Sequence, residues 1–199
     1  MPQPDCAVSL RDVELIILGS GSSGNTAVLR AEGQTILLDA GLSARKTLQR
    51  LALAGVDPGE ISAILLTHEH GDHTGGLPVL LRSLQCPVYA TRLTAEEVRG
   101  QDGRNATADW RIFSTGGRFS LGAFEVTAFS VPHDASDPVG FTIRCRSLSL
   151  GLLTDLGHAN HSVVHHVTGV DYLFIEANHD EELLRADNKR PFSIKQRIM

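Results

Sequence analysis

The sequence has little that would tie it to an oxidising compartment, a membrane or a polyanion surface. Its three cysteines, Cys6, Cys86 and Cys145, are odd in number, widely spaced and never in a C-x-x-C pair. That excludes a disulfide framework and a thiolate zinc site, and the three read as reduced thiols. No apolar run reaches the roughly 18 residues that a membrane span needs. Residues 1–12 carry acids and two prolines where a secretory leader would have a basic start and an apolar run. A cytoplasmic protein is therefore expected, with residues 1–12 as a flexible lead-in. Lys and Arg number 18 against 23 Asp and Glu, a formal net charge of −5. Such a balance excludes a domain that grips nucleic acid by bulk basicity. It leaves room for a nuclease whose bound divalent metals supply positive charge locally. No internal repeat is visible, beyond a weak β-rich-then-α layout that occurs twice.

What is present suits one globular domain over residues 13–199. With 42% hydrophobic and 21% charged residues, a chain of 199 can bury roughly 70% of its unfolded surface without staples. Glu14–Leu18 and Thr26–Arg30 read as strands flanking a Gly/Ser turn, and Thr35–Leu38 pairs back through Glu32-Gly33-Gln34. Ser43 caps a helix that ends at Gly55. Ile61–Leu66 is a short buried strand, followed by a helix from Leu77 and a short strand at Pro87–Tyr89. Thr94 opens a helix to Val98, and residues 100–108 read as a polar loop. From Trp110 the chain turns β-rich: Phe124–Phe129 alternates, and 140–144 and 147–153 form a hairpin. Ser162–Val167 is helical, Asp171–Ile175 a buried strand, and Glu181–Ala186 and Ser193–Met199 are helical again.

The chemistry concentrates in Thr67-His68-Glu69-His70-Gly71-Asp72-His73. His68, His70, Asp72 and His73 fall within six residues, after an apolar strand and before Gly75-Gly76. Residues two apart in an extended segment share a side, so His68 and His70 can meet one metal. Asp72 and His73 follow a glycine and can turn toward a second. Imidazole suits zinc and iron, and carboxylate adds a harder, charge-neutralising ligand. His133 and Asp155 also sit just after expected strands. Alone, they read equally as a turn histidine and a helix cap.

Thr67–His73 resembles the H-x-H-x-D-H signature of the metallo-β-lactamase fold superfamily of metallohydrolases. Leu18-Gly19-Ser20-Gly21-Ser22-Ser23-Gly24-Asn25, Leu38-Asp39-Ala40-Gly41, Val131-Pro132-His133-Asp134-Ala135, Thr154-Asp155-Leu156-Gly157 and Ile175-Glu176-Ala177-Asn178-His179-Asp180 follow in order. Together they resemble the YycJ/WalJ-like branch, whose members are implicated as DNA exonucleases. The resemblance implies a four-layer αββα sandwich of α/β (α+β) class. It implies two divalent metal ions, zinc foremost with manganese or iron as alternatives. His68, His70 and His133 would hold one ion, Asp72 and His73 would help hold the other, and Asp155 would bridge them. Two such ions lower the pKa of a shared water toward neutrality, and Asp72 would orient that water and take its proton. Relatives continue into a region with a further ligand histidine, so the resemblance implies a fragment that lacks its last elements, or else a weakened second site, or His179 or water in that histidine's place.

Smaller expectations surround this core. Asp39 would hydrogen-bond a ligand histidine, or cap. The Gly19–Asn25 backbone would form a phosphate nest, or a plain hairpin turn; it lacks the G-K-[ST] ending of a Walker loop. His179 would contact substrate phosphate or the leaving group as a catalytic residue, or lie at the surface. His158, His161, His165 and His166 read as helix-surface residues. Arg185, Lys189, Arg190, Lys195 and Arg197 read as a solvated face or a phosphate grip. The expected function is a metal-dependent hydrolase of DNA or another phosphodiester. The alternatives are a small ester, thioester or cyclic phosphodiester hydrolase on the same fold, and an inactive binding or regulatory module.

Overall fold

Successive side chains of Val13–Gly19 enter two different apolar clusters, and the architecture follows from that split. The computed structural model describes residues 7–10, 13–176 and 186–188. Val13 and Leu15 pack with Leu29, Ile36, Leu38 and Leu65, and against Phe124, Val126, Phe141, Ile143 and Leu152 of a second sheet. Ile16 and Leu18 point the other way, into Val28, Leu37 and Ile64 and the helix residues Leu51, Leu77, Leu80, Leu84 and Val98.

The first sheet has seven strands in chain order: β1 (Ala7–Leu10), β2 (Val13–Gly19), β3 (Thr26–Ala31), β4 (Gln34–Leu38), β5 (Ile61–Leu65), β6 (Val88–Thr91) and β7 (Trp110–Phe113). The second has five: β8 (Arg118–Leu121), β9 (Phe124–Ser130), β10 (Val139–Cys145), β11 (Leu148–Leu153) and β12 (Tyr172–Ile175). Hairpin-linked neighbours pair antiparallel, while β4 to β7 and the β11–β12 pair run parallel. Parallel neighbours need long crossovers. These are α1 (Ala44–Leu53), α2 (Gly71–Thr74) with α3 (Leu77–Leu84), α4 (Arg92–Gln101) and α5 (His161–Val167). Helices α1, α3 and α4 cover the outer face of the first sheet, and α5 covers the second through Val163 on Phe129, Val131 and Leu153. The result is the expected αββα sandwich.

Local expectations survive where local chemistry decides. Glu32 and Gly33 turn the β3–β4 hairpin with φ of 53° and 73°, the left-handed pair that a two-residue hairpin loop requires. Ser43 caps α1, its hydroxyl accepting from the Lys46 amide.

Elsewhere the structure differs. Ala7–Leu10, inside the expected lead-in, is an edge strand, with Ala7 opposite Ile16 and Leu10 opposite Val13. Thr91, not Thr94, caps α4, which runs three residues past Val98 into a 3-10 turn at Gly103–Thr107 where a loop was expected. Trp110–Phe113 joins the first sheet beside β6, not the β-rich second half. Among the described residues β12 is the last strand of its sheet, and Tyr172, Leu173 and Ile175 are exposed where a buried strand was expected. His158 precedes α5 and lies on no helix. His166 is half-buried, stacked on Phe129 at 4.5 Å. Apart from Ala186, the helices expected over 181–186 and 193–199 lie outside the described residues, as do His179 and the basic cluster. No helix among the described residues is long and apolar enough to cross a membrane.

Candidate metal centre

The segments that follow β4, β5, β9 and β11 converge on one buried polar cluster. Backbone contacts set its frame. Ala40 N–H donates to the His73 carbonyl, Asn25 N–H to the Asp72 carbonyl and Gly76 N–H to the Ala40 carbonyl, at 2.7, 2.6 and 2.8 Å. The approach is so close that a Cβ on Gly41 would stand 1.6 Å from the Asp72 carbonyl oxygen. Only glycine fits there. Asp39 and Asp155 both adopt left-handed backbone, with φ of 56° and 48°. Aspartate tolerates that region better than most residues, and non-glycine residues held there cluster at functional sites.

The imidazoles pack ring against ring. His68 lies 4.7 Å from His70, 4.1 Å from His73 and 4.7 Å from His133, centroid to centroid. Among the described residues two candidate ligand sets result: His68, His70 and His133, and His68, His73 and Asp155, each with its ligand atoms within 4.8 Å of one another. His68 lies within reach of both, but its one free nitrogen can serve a single ion, as the sequence reading had it. Asp72 belongs to neither; its carboxylate stands half-exposed, 4.0 Å from His73 Nε2. Asp155 takes the central place. Its Oδ2 lies 2.8 Å from His73 Nε2, 3.5 Å from His68 Nε2 and 4.0 Å from His133 Nε2.

The donor set fits a cation on two grounds. The first is His68. Its Nδ1 meets the Thr67 hydroxyl at 3.0 Å, while its Nε2 is buried without a hydrogen-bond partner. Burial, then the neighbouring His73, His133 and His70, hold its pKa far below the ordinary value, which keeps it the neutral ligand form. The second is His73. Its Nδ1 is bound to Asp39 Oδ2 at 2.8 Å, and its Nε2 faces both the Asn25 Nδ2 donor at 2.9 Å and the Asp155 oxygen at 2.8 Å. A protonated Nε2 opposes the amide, and an unprotonated one opposes the carboxylate. A cation between His73 and Asp155 removes the conflict with the carboxylate. Without one, burial would lower the His73 pKa, but the Asp39 and Asp155 carboxylates push it up to about 10. His133 is lowered, chiefly by burial. Burial would raise Asp155, but the His73 contact leaves it lowered.

Three supporting residues escaped the sequence reading. Thr67 donates both its hydroxyl and its amide to the Asp39 carboxylate, the amide to Oδ1 at 2.8 Å. Glu69 is buried and accepts from the Ser136 amide at 2.7 Å, tying down the segment that carries His133. Asn25 closes the Gly/Ser turn. Within that turn the amides of Gly21 and Gly24 are already taken, by Asn25 Oδ1 and Glu176 Oε1 and by the Gly21 carbonyl respectively. The expected nest therefore has fewer free donors than its sequence suggests. The signal for Asn25 was its place at the end of the G-S-G-S-S-G-N stretch.

Residues 34–195 match the model of the β-lactamase superfamily domain. Exodeoxyribonuclease YycJ of Bacillus anthracis is 37% identical over 183 residues, covering 92% of this chain and 69% of that protein. Exodeoxyribonuclease WalJ of Streptococcus pneumoniae is 36% identical over 185 residues, covering 92% and 68%. Among solved structures, zinc-bound PqqB from Methylobacterium extorquens superposes with a TM-score of 0.73 at 19% identity, covering 86% of this chain and 76% of that one. The chain belongs to the metallo-β-lactamase-fold hydrolases of the β-lactamase superfamily, in the YycJ/WalJ-like branch.

Proposed function

We propose that this chain is an exonuclease-like phosphodiesterase acting on DNA in the cytoplasm, with two divalent ions, zinc foremost, in the paired ligand sets. The observation that carries the reading is the Asp155 oxygen, which faces imidazole nitrogens of both sets at once. A carboxylate so placed suits a bridge, since its charge offsets that of two cations. The DNA assignment draws support from the exodeoxyribonuclease relatives.

When bound, such ions supply a water of lowered pKa and polarise the scissile phosphoryl group. The chain's own residues do the rest. His68, His70 and His133 would hold one ion, and His73 and Asp155 the other, since the single free nitrogen of His68 has one lone pair to give. Asp39 and Thr67 fix the ring planes of His73 and His68. Asp72, at the exposed rim, orients the attacking water and accepts its proton.

The test starts with protein loaded with zinc or manganese and its metal content measured. The loaded protein is then offered 5′-phosphorylated duplex DNA beside RNA, bis-p-nitrophenyl phosphate and a thioester. Two ions per chain and cleavage of DNA are expected. Cleavage of only the small substrates, or of only RNA, replaces the DNA reading; a folded protein that binds no ion overturns the metal centre itself.

A further inference from the structure

The Asn25 side chain is held for a purpose that neither the fold nor the ligand sets account for. Its main chain is pinned on both sides, the amide donating to Asp72 and the carbonyl accepting from Gly41 at 2.6 and 2.9 Å. Its Oδ1 accepts from the Gly21 amide at 2.8 Å, which fixes the orientation of the carboxamide: a flip would set two N–H donors against each other. The Nδ2 group therefore points into the cluster, 2.9 Å from His73 Nε2, with the residue buried.

That contact cannot persist once His73 serves as a ligand. Its Nδ1 is committed to Asp39, so Nε2 is the atom left to coordinate, and its lone pair is then spent. The Asn25 amide is then buried with its donors aimed at the centre and its His73 partner lost. A buried donor without a partner costs about 1–3 kcal/mol, so the site favours any ligand that brings an anionic oxygen there.

We propose that Asn25 Nδ2 donates a hydrogen bond to an anionic oxygen of the substrate at this centre. On the reading above, which this inference rests on, that oxygen belongs to the scissile phosphodiester. The donor is preorganised, because the same carboxamide is locked at Oδ1, and such donors stabilise charge that develops during reaction. Asn25 is on this view a catalytic residue, and the Gly/Ser turn exists to aim it.

The experiment uses the zinc-loaded full chain and inorganic phosphate as the probe, followed by titration calorimetry, with Asn25→Ala and Asn25→Asp as variants. The aspartate keeps an acceptor for the Gly21 amide and loses the donor, so a role confined to holding the turn would survive in it. Both variants are expected to carry the metal content of the wild type and to bind phosphate about tenfold more weakly or worse. Phosphate affinity equal to wild type, a loss that merely tracks lost metal, or no phosphate binding by the loaded wild type overturns the proposal. If a variant fails to fold, the wild type decides. The Asn25 side-chain amide resonances should shift when phosphate is added to the loaded protein, and unchanged resonances overturn the proposal. Phosphate binding needs no turnover. Failure of the DNA assay with an intact Asn25 effect would therefore reject the nuclease reading alone.

Discussion

The two halves of the cluster are built differently. On the His73 side every polar atom has a close partner: Nδ1 is bound to Asp39, Nε2 faces Asn25 and Asp155, and Asp39 is held in turn by Thr67. On the His70–His133 side the rings mostly touch one another, His133 Nε2 lying 3.1 Å from His70 Nδ1, and both residues are half-exposed. The first half is anchored by side-chain contacts outside the ring cluster. The second has its ligands gathered but held largely by the loops that carry them. Outer contacts of the first kind set ring orientation and ligand basicity. The lesson is that one site can combine a fixed seat and an adaptable one, with His68 and Asp155 between them.

Substitutions can break that contrast, and their effects should descend in a definite order. His68→Ala removes a ligand of the three-histidine set and the ring packed against His73. Metal analysis should find at least one position emptied, and hydrolysis should fall by more than the roughly 100-fold ceiling that loss of an outer contact produces. Gly41→Ala drives a methyl into the Asp72 carbonyl and should cost about 3 kcal/mol in denaturant unfolding, with the anchored half displaced first. Asp39→Asn leaves the shape and removes the anion behind His73. A competing-chelator titration should show one ion weakened by roughly 10- to 100-fold and the other little changed. An equal effect on both ions would mean the halves are not separable. Glu69→Ala is the mirror experiment on the adaptable half, since it frees the Ser136 amide. One Glu69 carboxylate oxygen is itself buried without a partner, so its removal offsets part of the loss. The net change in stability should be about 1 kcal/mol or less, and the affinity change smaller than for Asp39→Asn.

The sequence was most legible where function forces a spacing. The H-x-H-x-D-H run and its companions at His133 and Asp155 named the residues that meet in space, and the strands before them named the layers. It was least legible where a residue acts across the fold. Glu69 looks like a spacer between two histidines until Ser136 is seen against it. Asn25 looks like the end of a turn until His73 arrives 48 positions later. Sheet membership was hidden for the same reason. Trp110–Phe113 lies beside β6 and Ala7–Leu10 beside β2 through backbone pairing, which leaves no periodic trace in side-chain type. For β12, apolar composition suggested burial, yet Tyr172, Leu173 and Ile175 are exposed among the described residues.

The main-chain staples among Asn25, Ala40, Asp72, His73 and Gly76 have one more consequence. Because those joints use amides and carbonyls, they do not depend on the side chains of His70 and Asp72, provided Gly41 and Gly76 stay glycine. Designers wishing to retune ion preference can therefore exchange His70 or Asp72 for softer or harder donors, and expect the surrounding framework to stay in register while they do so.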